Sequence, residues 1–145
     1  MARRERSAGV IVFHREPRNK PITFLVLDYG RHWDYAKGHV DKGEDDLSAA
    51  LRELREETGI ENVKLMPDFA REIVYFFRHP RRGLIRKEVI FFLGETASTK
   101  VKISHEHVGY AFLAFEEALK KVTFPTAKQV LREAHDYLEQ HSPSA

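Results

Sequence analysis

Short runs of β-branched and aromatic residues recur along the chain and predict strands. The runs are Gly9–Phe13, Thr23–Asp28, Arg71–Arg78, Glu88–Gly94 and Tyr110–Phe115. The third and fourth flank the segment HPRRGLIRK, in which Pro80 and Gly83 are typical of a turn between paired strands. The pattern therefore predicts five strands, two of them joined as a hairpin.

Helical periodicity and end signals predict two longer helices and one short helix. The first runs from about Asp45 to Thr58, with Asp46 also near its positive end and Gly59 ending it. The second begins near Pro125 and runs to about Gln140. Its apolar positions at helical spacing are Val130, Leu131, Ala134 and Leu138. A short helix is expected around Glu116–Lys121. Strands with interspersed helices predict the α/β class, a layered domain with a mixed sheet.

The length and composition of the chain are typical of one globular domain. The chain has 145 residues, of which 42% are hydrophobic and 32% charged. We expect a single domain over residues 1–140 and a frayed tail over 141–145. The net charge of +2 hides a separation, since acids concentrate at 41–57 and bases at Arg3–Arg6 and Arg78–Lys87. A nearly neutral total argues against a stable nucleic-acid partner but permits metal-binding acids to face phosphate-binding bases.

The chain has no cysteine, which excludes disulfides and thiolate metal sites. Its start, MARRERSAGVIVFHRE, is basic but holds only a short apolar stretch, Val10 to Phe13. That stretch is too short for a signal-peptide core or a membrane span. We therefore expect a cytoplasmic protein without a membrane partner; its oligomeric state is left open.

Carboxylates are concentrated on one face of the first predicted helix. Glu53, Glu56 and Glu57 are spaced i, i+3 and i+4, so they share that face, where like charges destabilise a helix. Carboxylate oxygens are the ligands that Mg²⁺ and Mn²⁺ prefer, and Mg²⁺ keeps positions for water and substrate phosphates. Arg52 lies four residues before Glu56, close enough to brace it, and Glu44 precedes the helix. From these residues taken by themselves, a metal site and a merely solvated acidic face both remain open.

The surrounding residues carry a resemblance. Gly38, five residues, Glu44, seven residues and then the run RELREETGI from Arg52 to Ile60 resemble the Nudix box, with all nine of its specified positions filled. The resemblance to Nudix hydrolases implies an α/β/α sandwich. In that fold a loop–helix–loop holds Mg²⁺ or Mn²⁺ for attack of water on a nucleoside diphosphate linkage.

The same resemblance implies roles for the box residues. The implied metal ligands are Glu53, Glu56 and Glu57, with Gly38 lending its carbonyl and Glu106 adding a further ligand. Arg52 and Glu44 are implied to orient the others. The general base varies within the superfamily, so Glu53 is favoured while Glu57 and Glu106 stay open.

Segments outside the box resemble one group of the superfamily, the asymmetrical diadenosine tetraphosphate hydrolases. These segments are His32–Trp33, Lys37–Val40, Lys87–Leu93, Ser104–His107 and Ala134–Leu138. The chain departs from the group at Ala36, where a proline is usual. The resemblance implies cleavage of diadenosine tetraphosphate to ATP and AMP, a reaction that the residues do not fix by themselves.

Candidate substrate-binding residues follow from this resemblance. The implied phosphate-binding residues are His32, Lys37, His39 and Lys87, and an adenine is expected between Tyr75 and Phe124. Most other aromatic residues, including Phe76 and Phe77, are expected in the core. His105 and His107 are expected to be hydrogen-bonded loop residues. Most of the hairpin arginines are expected to be solvated; they are Arg78, Arg81, Arg82 and Arg86.

Two alternatives remain. The same box serves hydrolases of other substrates, such as RNA 5′-pyrophosphates, oxidised deoxynucleoside triphosphates and inositol pyrophosphates. A nucleotide-sensing module without turnover is the non-enzymatic alternative. Such a module would be expected to have lost box glutamates, and none is missing in this chain.

Overall fold

The computed structural model describes residues 2–17 and 20–141, so positions 142–145 of the tail expected to be frayed lie outside the described residues. The strands are β1 Arg3–His14, β2 Thr23–Asp28, β3 Trp33–Asp34, β4 Ala36–His39, β5 Val63–His79, β6 Gly83–Thr96 and β7 Gly109–Ala114. The helices are α1 Asp46–Thr58, α2 Phe115–Lys121 and α3 Pro125–Gln140. None of these helices is long and apolar enough to span a membrane, within the part of the chain described.

The strands form one mixed sheet. Its order is β3-β2-β1-β6-β5, with β4 also pairing with β1 and β7 with β2. The central strands β1 and β6 run parallel, while the other pairs are antiparallel. The predicted hairpin between β5 and β6 is confirmed, since His79 and Gly83 are its last paired residues.

Helices cover both faces of the sheet. Successive side chains of β1 alternate between the faces, so Val10 packs with Leu54 of α1 while Ile11 packs with Leu131 of α3. The four apolar residues predicted along α3 are all buried. The predicted α/β class and the α/β/α sandwich are therefore confirmed.

The ends of α1 follow their sequence signals. Asp45 is the N-cap, and its side chain accepts a 2.7 Å hydrogen bond from the Ser48 N–H. Gly59 adopts φ of 75°, and its N–H donates to the Arg55 carbonyl at 2.8 Å. These caps fix where the acidic helix starts and stops.

The expectation that Phe76 and Phe77 belong to the core is wrong. Phe76 is 57% exposed and Phe77 37% exposed. Both lie on β5, which is the last strand at its edge of the sheet and has a neighbouring strand on one side only. Alternation along an edge strand therefore does not guarantee burial on either face.

Candidate functional site

The short strand β4 leads into the loop before α1 and brings Gly38 against Glu53. An added Cβ at Gly38 would lie 2.0–2.4 Å from the carboxyl atoms of Glu53. No side chain fits between this backbone and the carboxylate. The first and fourth specified positions of the box, far apart in sequence, are thus in contact.

Arg52 connects the acids of the box. Its Nε lies 2.8 Å from Glu44 Oε2, and its Nη1 lies 2.9 Å from Glu53 Oε1 and 3.1 Å from Glu56 Oε1. Its Nη2 donates to the His39 carbonyl at 3.0 Å. The hydrogen bond from Arg52 lowers the pKa of Glu44 to about 2, helped by the Asp41 N–H. The bracing of Glu56 by Arg52 expected from the sequence is present, and Glu44 holds Arg52 in place.

Glu57 is the buried acid of the site. Its Oε1 accepts the Lys37 N–H at 2.8 Å, and its Oε2 accepts the Tyr29 hydroxyl at 3.2 Å. Burial raises the pKa of Glu57 to about 8; the two hydrogen bonds oppose this rise and the nearby charges of Glu53 and Glu106 add to it. The sequence reasoning missed Tyr29. The available signal was its position, because Tyr29 directly follows the predicted strand Thr23–Asp28, which precedes the box in sequence.

The loop before β7 closes over Glu57. The Ser104 N–H donates to the Glu57 carbonyl at 3.1 Å, and Ser104 Oγ lies 3.0 Å from His107 Nδ1. This confirms the expectation of a hydrogen-bonded loop histidine at position 107. His107 Nε2 lies 2.9 Å from Glu57 Oε2 but not at hydrogen-bonding geometry, so this buried atom has no hydrogen-bond partner among the described residues. The loop leaves Glu106 exposed at the edge of the site.

The acids of the site repel one another. Burial raises the pKa of Glu53, and the charges of Glu56 and Glu106 raise it further against the opposing effect of Arg52. Within residues 2–17 and 20–141, no three acidic or histidine side chains are already gathered around one metal position. Arg52 Nη1 donates hydrogen bonds to one oxygen of Glu53 and one oxygen of Glu56, so a cationic side chain lies among these carboxylates.

A polar groove of about 480 Å³ runs beside these acids. Its walls include Lys37, Gly38, His39, Glu53, Lys87 and Glu106. Lys87 is buried, and its Nζ donates to Ser7 Oγ at 2.7 Å. Burial lowers the pKa of Lys87, an effect that the nearby Glu5 carboxylate opposes. Lys37 Nζ lies 3.0 Å from Asp34 Oδ2. Cationic groups therefore face carboxylates across one groove.

An apolar cavity of about 390 Å³ adjoins this groove. Its walls include Ile73, Tyr75 and Phe77 from β5 and Phe124 with Pro125 from the start of α3. Lys37, Tyr75 and Phe77 line both the cavity and the groove. The cavity thus offers an apolar surface to a flat ring, and the adjoining groove offers cationic groups to an attached chain of anionic groups.

His32 lies apart from the groove walls. Its ring stacks on Tyr29 at 4.9 Å between centroids and lies 5.2 Å from the Phe124 ring. The structure therefore brings together twelve of the thirteen predicted site residues around the groove and cavity and places His32 beside Phe124. Those twelve are Gly38, Glu44, Arg52, Glu53, Glu56, Glu57 and Glu106 with Lys37, His39, Tyr75, Lys87 and Phe124.

The expectation that most of the hairpin arginines are merely solvated needs correction for two of the four. Arg82 donates to Glu5 Oε2, and Arg86 donates to Glu88 Oε2. Arg78 and Arg81 are exposed. The Arg82–Glu5 pair arises because β6 lies beside β1, which carries Glu5 opposite Lys87; this strand pairing is not visible from local sequence. Arg86 and Glu88 lie two residues apart on β6 itself.

Comparisons with known proteins agree with this arrangement. The NUDIX domain family matches residues 3–134. The chain is 40% identical over 144 residues to bis(5′-nucleosyl)-tetraphosphatase [asymmetrical] of Mus musculus, covering 92% of this chain and 95% of that protein. It is 32% identical over 108 residues to the RNA pyrophosphohydrolase of Bartonella bacilliformis, covering 63% of this chain and 64% of that protein. A crystal structure of a C. elegans Ap4A hydrolase binary complex superposes with a TM-score of 0.82 and 28% identity, covering 94% of this chain and 98% of that one.

Proposed function

Because the chain belongs to the Nudix hydrolase family, we propose that it hydrolyses diadenosine tetraphosphate asymmetrically to ATP and AMP, by metal-dependent attack of water on a phosphate. The observation that carries this proposal is the apolar cavity opening onto the polar groove, with Lys37 and Tyr75 in both walls. A nucleobase joined to a polyphosphate has the same order of an apolar ring and anionic groups. The similarity to the mouse enzyme supports this substrate.

The cavity supports binding of one adenine between Tyr75 and Phe124. Stacking of a base on an aromatic side chain is worth about 1–3 kcal/mol and requires a platform on the base's flat face. In the proposal, Lys37, His39 and Lys87 bind the phosphates, since all three line the groove. His32 is kept as a substrate-binding candidate because its ring lies beside Phe124.

The acidic residues fit a divalent cation, Mg²⁺ or Mn²⁺. Burial and mutual repulsion raise the pKa of Glu53 and Glu57, an unfavourable state that a cation would relieve. The contact between Gly38 and the Glu53 carboxylate keeps that position free of any side chain. The proposed ligands are Gly38, Glu53, Glu56, Glu57 and Glu106. When bound, the metal neutralises phosphate charge and lowers the pKa of water.

The chain's own residues position the acids and accept a proton. Arg52 and Glu44 orient Glu53 and Glu56 through the hydrogen bonds described above. We favour Glu53 as the general base because its carboxylate lines the groove, whereas both oxygens of Glu57 already face donors from Lys37 and Tyr29. Glu57 and Glu106 are the alternatives, to be separated by comparing the kcat of the three glutamine variants.

Turnover of a substrate panel with Mg²⁺ tests the proposal. The panel holds diadenosine tetraphosphate, oxidised dGTP, triphosphorylated RNA and an inositol pyrophosphate, with products resolved by chromatography. We expect ATP and AMP from the first at the highest kcat/KM, and loss of turnover in Glu56→Gln. In ¹⁸O water the label is expected in AMP, because attack at the fourth phosphate from the clamped adenosine leaves ATP unlabelled. Faster turnover of another panel member would reject diadenosine tetraphosphate as the substrate, while the assignment of the chain as a hydrolase would stand.

Hydrolysis of RNA 5′-pyrophosphate is the second candidate. The similarity to the Bartonella enzyme supports it, although that match spans less of the chain than the match to the mouse enzyme. A nucleotide-sensing module is disfavoured because all box glutamates are present. Binding of nucleotide without turnover of any panel member would favour it. We also propose a cytoplasmic location, as the nucleotide substrate suggests.

A further inference from the structure

The turn of the β5–β6 hairpin sends one arginine back to the polar groove. Arg82 Nη1 donates to Glu5 Oε2, and the side chain of Glu5 is itself part of the groove wall. The other carboxylate oxygen, Oε1, lies 3.9 Å from Lys87 Nζ. One carboxylate therefore faces both the hairpin arginine and the buried lysine of the groove.

A carboxylate at this place is unexpected in a groove for polyphosphate. Glu5 and Lys87 are opposite each other on the parallel strands β1 and β6, and Tyr75 of β5 is opposite Lys87 on its other side. Any phosphate bound by Lys87 would lie within a few ångströms of the Glu5 charge and be repelled by it. The hydrogen bond from Arg82 lowers the pKa of Glu5, so the carboxylate is ionised at neutral pH.

The Glu5 carboxylate lies between two cationic side chains, Arg82 and Lys87. It presents two anionic oxygens to an arginine and a lysine, which is the pair of groups that binds phosphate oxygens in proteins. Arg82 is 39% exposed, and it lies in the three-residue turn between the last paired residues of the hairpin, His79 and Gly83. It can therefore change partner without disturbing the strand pairing.

We propose that Arg82 is a further substrate-binding residue, held at the rim of the groove by Glu5 in the free enzyme and transferred to the polyphosphate when substrate binds. The inference rests on the proposed function, because the ligand is the polyphosphate chain of that substrate. Glu5 keeps Arg82 near Lys87 and competes with the substrate for it. The pair thereby sets the KM for highly charged substrates.

This arrangement predicts opposite effects at the two ends of one ion pair. Arg82→Ala removes a cation from the bound state and should raise the KM for diadenosine tetraphosphate about tenfold with little change in kcat. Glu5→Gln removes both the repulsion and the competing partner, and should lower the KM. An ion pair with a purely structural role would give the same sign for both variants and a lower melting temperature.

The experiment measures KM and kcat for diadenosine tetraphosphate at pH 7 for the wild type, Arg82→Ala, Glu5→Gln and the double variant. Arg81→Ala is the matched control, because Arg81 is the exposed neighbouring arginine and carries the same charge. We expect Arg81→Ala to match the wild type and the benefit of Glu5→Gln to shrink when Arg82 is absent. The melting temperature of each variant is measured as well, to check that the changes in KM do not come from loss of the folded structure.

Equal KM values for Arg82→Ala and Arg81→Ala would overturn the proposal, and so would a raised KM in Glu5→Gln. Both outcomes leave hydrolysis of the substrate intact. Absence of any turnover in the wild type would instead reject the proposed function. In that case the affinity for inorganic tripolyphosphate, which has no base and needs no turnover, still tests Arg82 by comparing the wild type with the same three variants and the same control.

Discussion

Gly38 lies so close to Glu53 that a methyl group in place of its hydrogen would overlap the carboxylate. The overlapped atoms are the far end of a flexible side chain, so the fold can accommodate the methyl group by moving Glu53. A substitution here therefore separates stability from activity. The glycine is required for where it lets a carboxylate lie, not for a special backbone conformation.

We expect Gly38→Ala to lower kcat about 100-fold, the effect typical of a catalytic group displaced by about 1 Å, while the melting temperature changes little. Gly109→Ala is the control, since an added Cβ there meets nothing within 4 Å. Steady-state kinetics and thermal unfolding of both variants check this. A stable Gly38→Ala enzyme with wild-type kcat would show that the position of Glu53 is not critical.

Lys87 supplies a prediction about pH. Burial lowers the pKa of its ammonium below the usual 10.5, with Lys37 and Arg82 adding to the effect and Glu5 opposing it. The amine is charged below this lowered pKa and becomes neutral as the pH rises through it, so attraction for phosphate is lost on the alkaline side. We expect the KM for diadenosine tetraphosphate to rise about tenfold there.

The control for this pH profile is Lys87→Arg, whose guanidinium stays charged across the range. Its KM is expected to differ from the wild type at pH 7 because the hydrogen bond to Ser7 changes, but to stay flat at alkaline pH. Parallel profiles for the two proteins would assign the alkaline rise in KM to another group.

Single residues also show where sequence reasoning stops. The spacing of Glu53, Glu56 and Glu57 predicted one acidic face, and Arg52 braces Glu56 as expected. The environment of Glu57 was not predictable from the sequence. One donor is the hydroxyl of Tyr29, 28 residues away along the chain, and the other is the backbone N–H of Lys37, which does not depend on the side chain. A local pattern identifies the acid but not the groups that set its pKa.

At the scale of elements, α1 carries the site and depends on its first cap. The Asp45 side chain accepts the Ser48 N–H at 2.7 Å, satisfying a donor that has no partner within the helix. We expect Asp45→Ala to lower the free energy of unfolding by about 1 kcal/mol, measured by urea denaturation. Asp45→Asn keeps a capping oxygen and should lose much less. Equal losses in the two variants would attribute the effect to the charge of Asp45 near the helix terminus instead of the cap.

Elements with strong end signals were predicted closely, and those without them were not. The bounds of β2 and α3 agree with prediction; Pro125 in the first turn marks the start of α3, and Pro21 and Gly30 lie on either side of β2. The strands β3 and β4, of two and four residues, were missed because so short a segment has no periodicity and is held by pairing with β2 and β1. β5 extends upstream to Val63, past the register shift between Leu65 and Ala70, where the alternation is interrupted.

At the scale of the whole molecule, the apolar cavity is made by parts that are distant in sequence. Tyr75 comes from the edge strand β5 and Phe124 from the N-cap of α3, and α3 packs on the sheet through its buried face. The packing of α3 on the sheet therefore fixes the positions of the Tyr75 and Phe124 rings in the wall of the cavity. Phe124 is 45% exposed, and Tyr75 is only half-buried and packs at the margin of the core.

Replacing either ring should therefore weaken substrate binding without unfolding the protein. We expect Tyr75→Ala and Phe124→Ala each to raise the KM for diadenosine tetraphosphate, since loss of one stacking partner removes about 1–3 kcal/mol, which is about 5- to 150-fold in affinity. Tyr75→Phe keeps the ring and should keep the KM. Phe76→Ala is the matched control, because Phe76 is the neighbouring aromatic residue of β5, is 57% exposed and points to the opposite face. If Phe76→Ala raised the KM as much as Tyr75→Ala, the effect would come from the strand as a whole, and the adenine would have to bind elsewhere than in the apolar cavity.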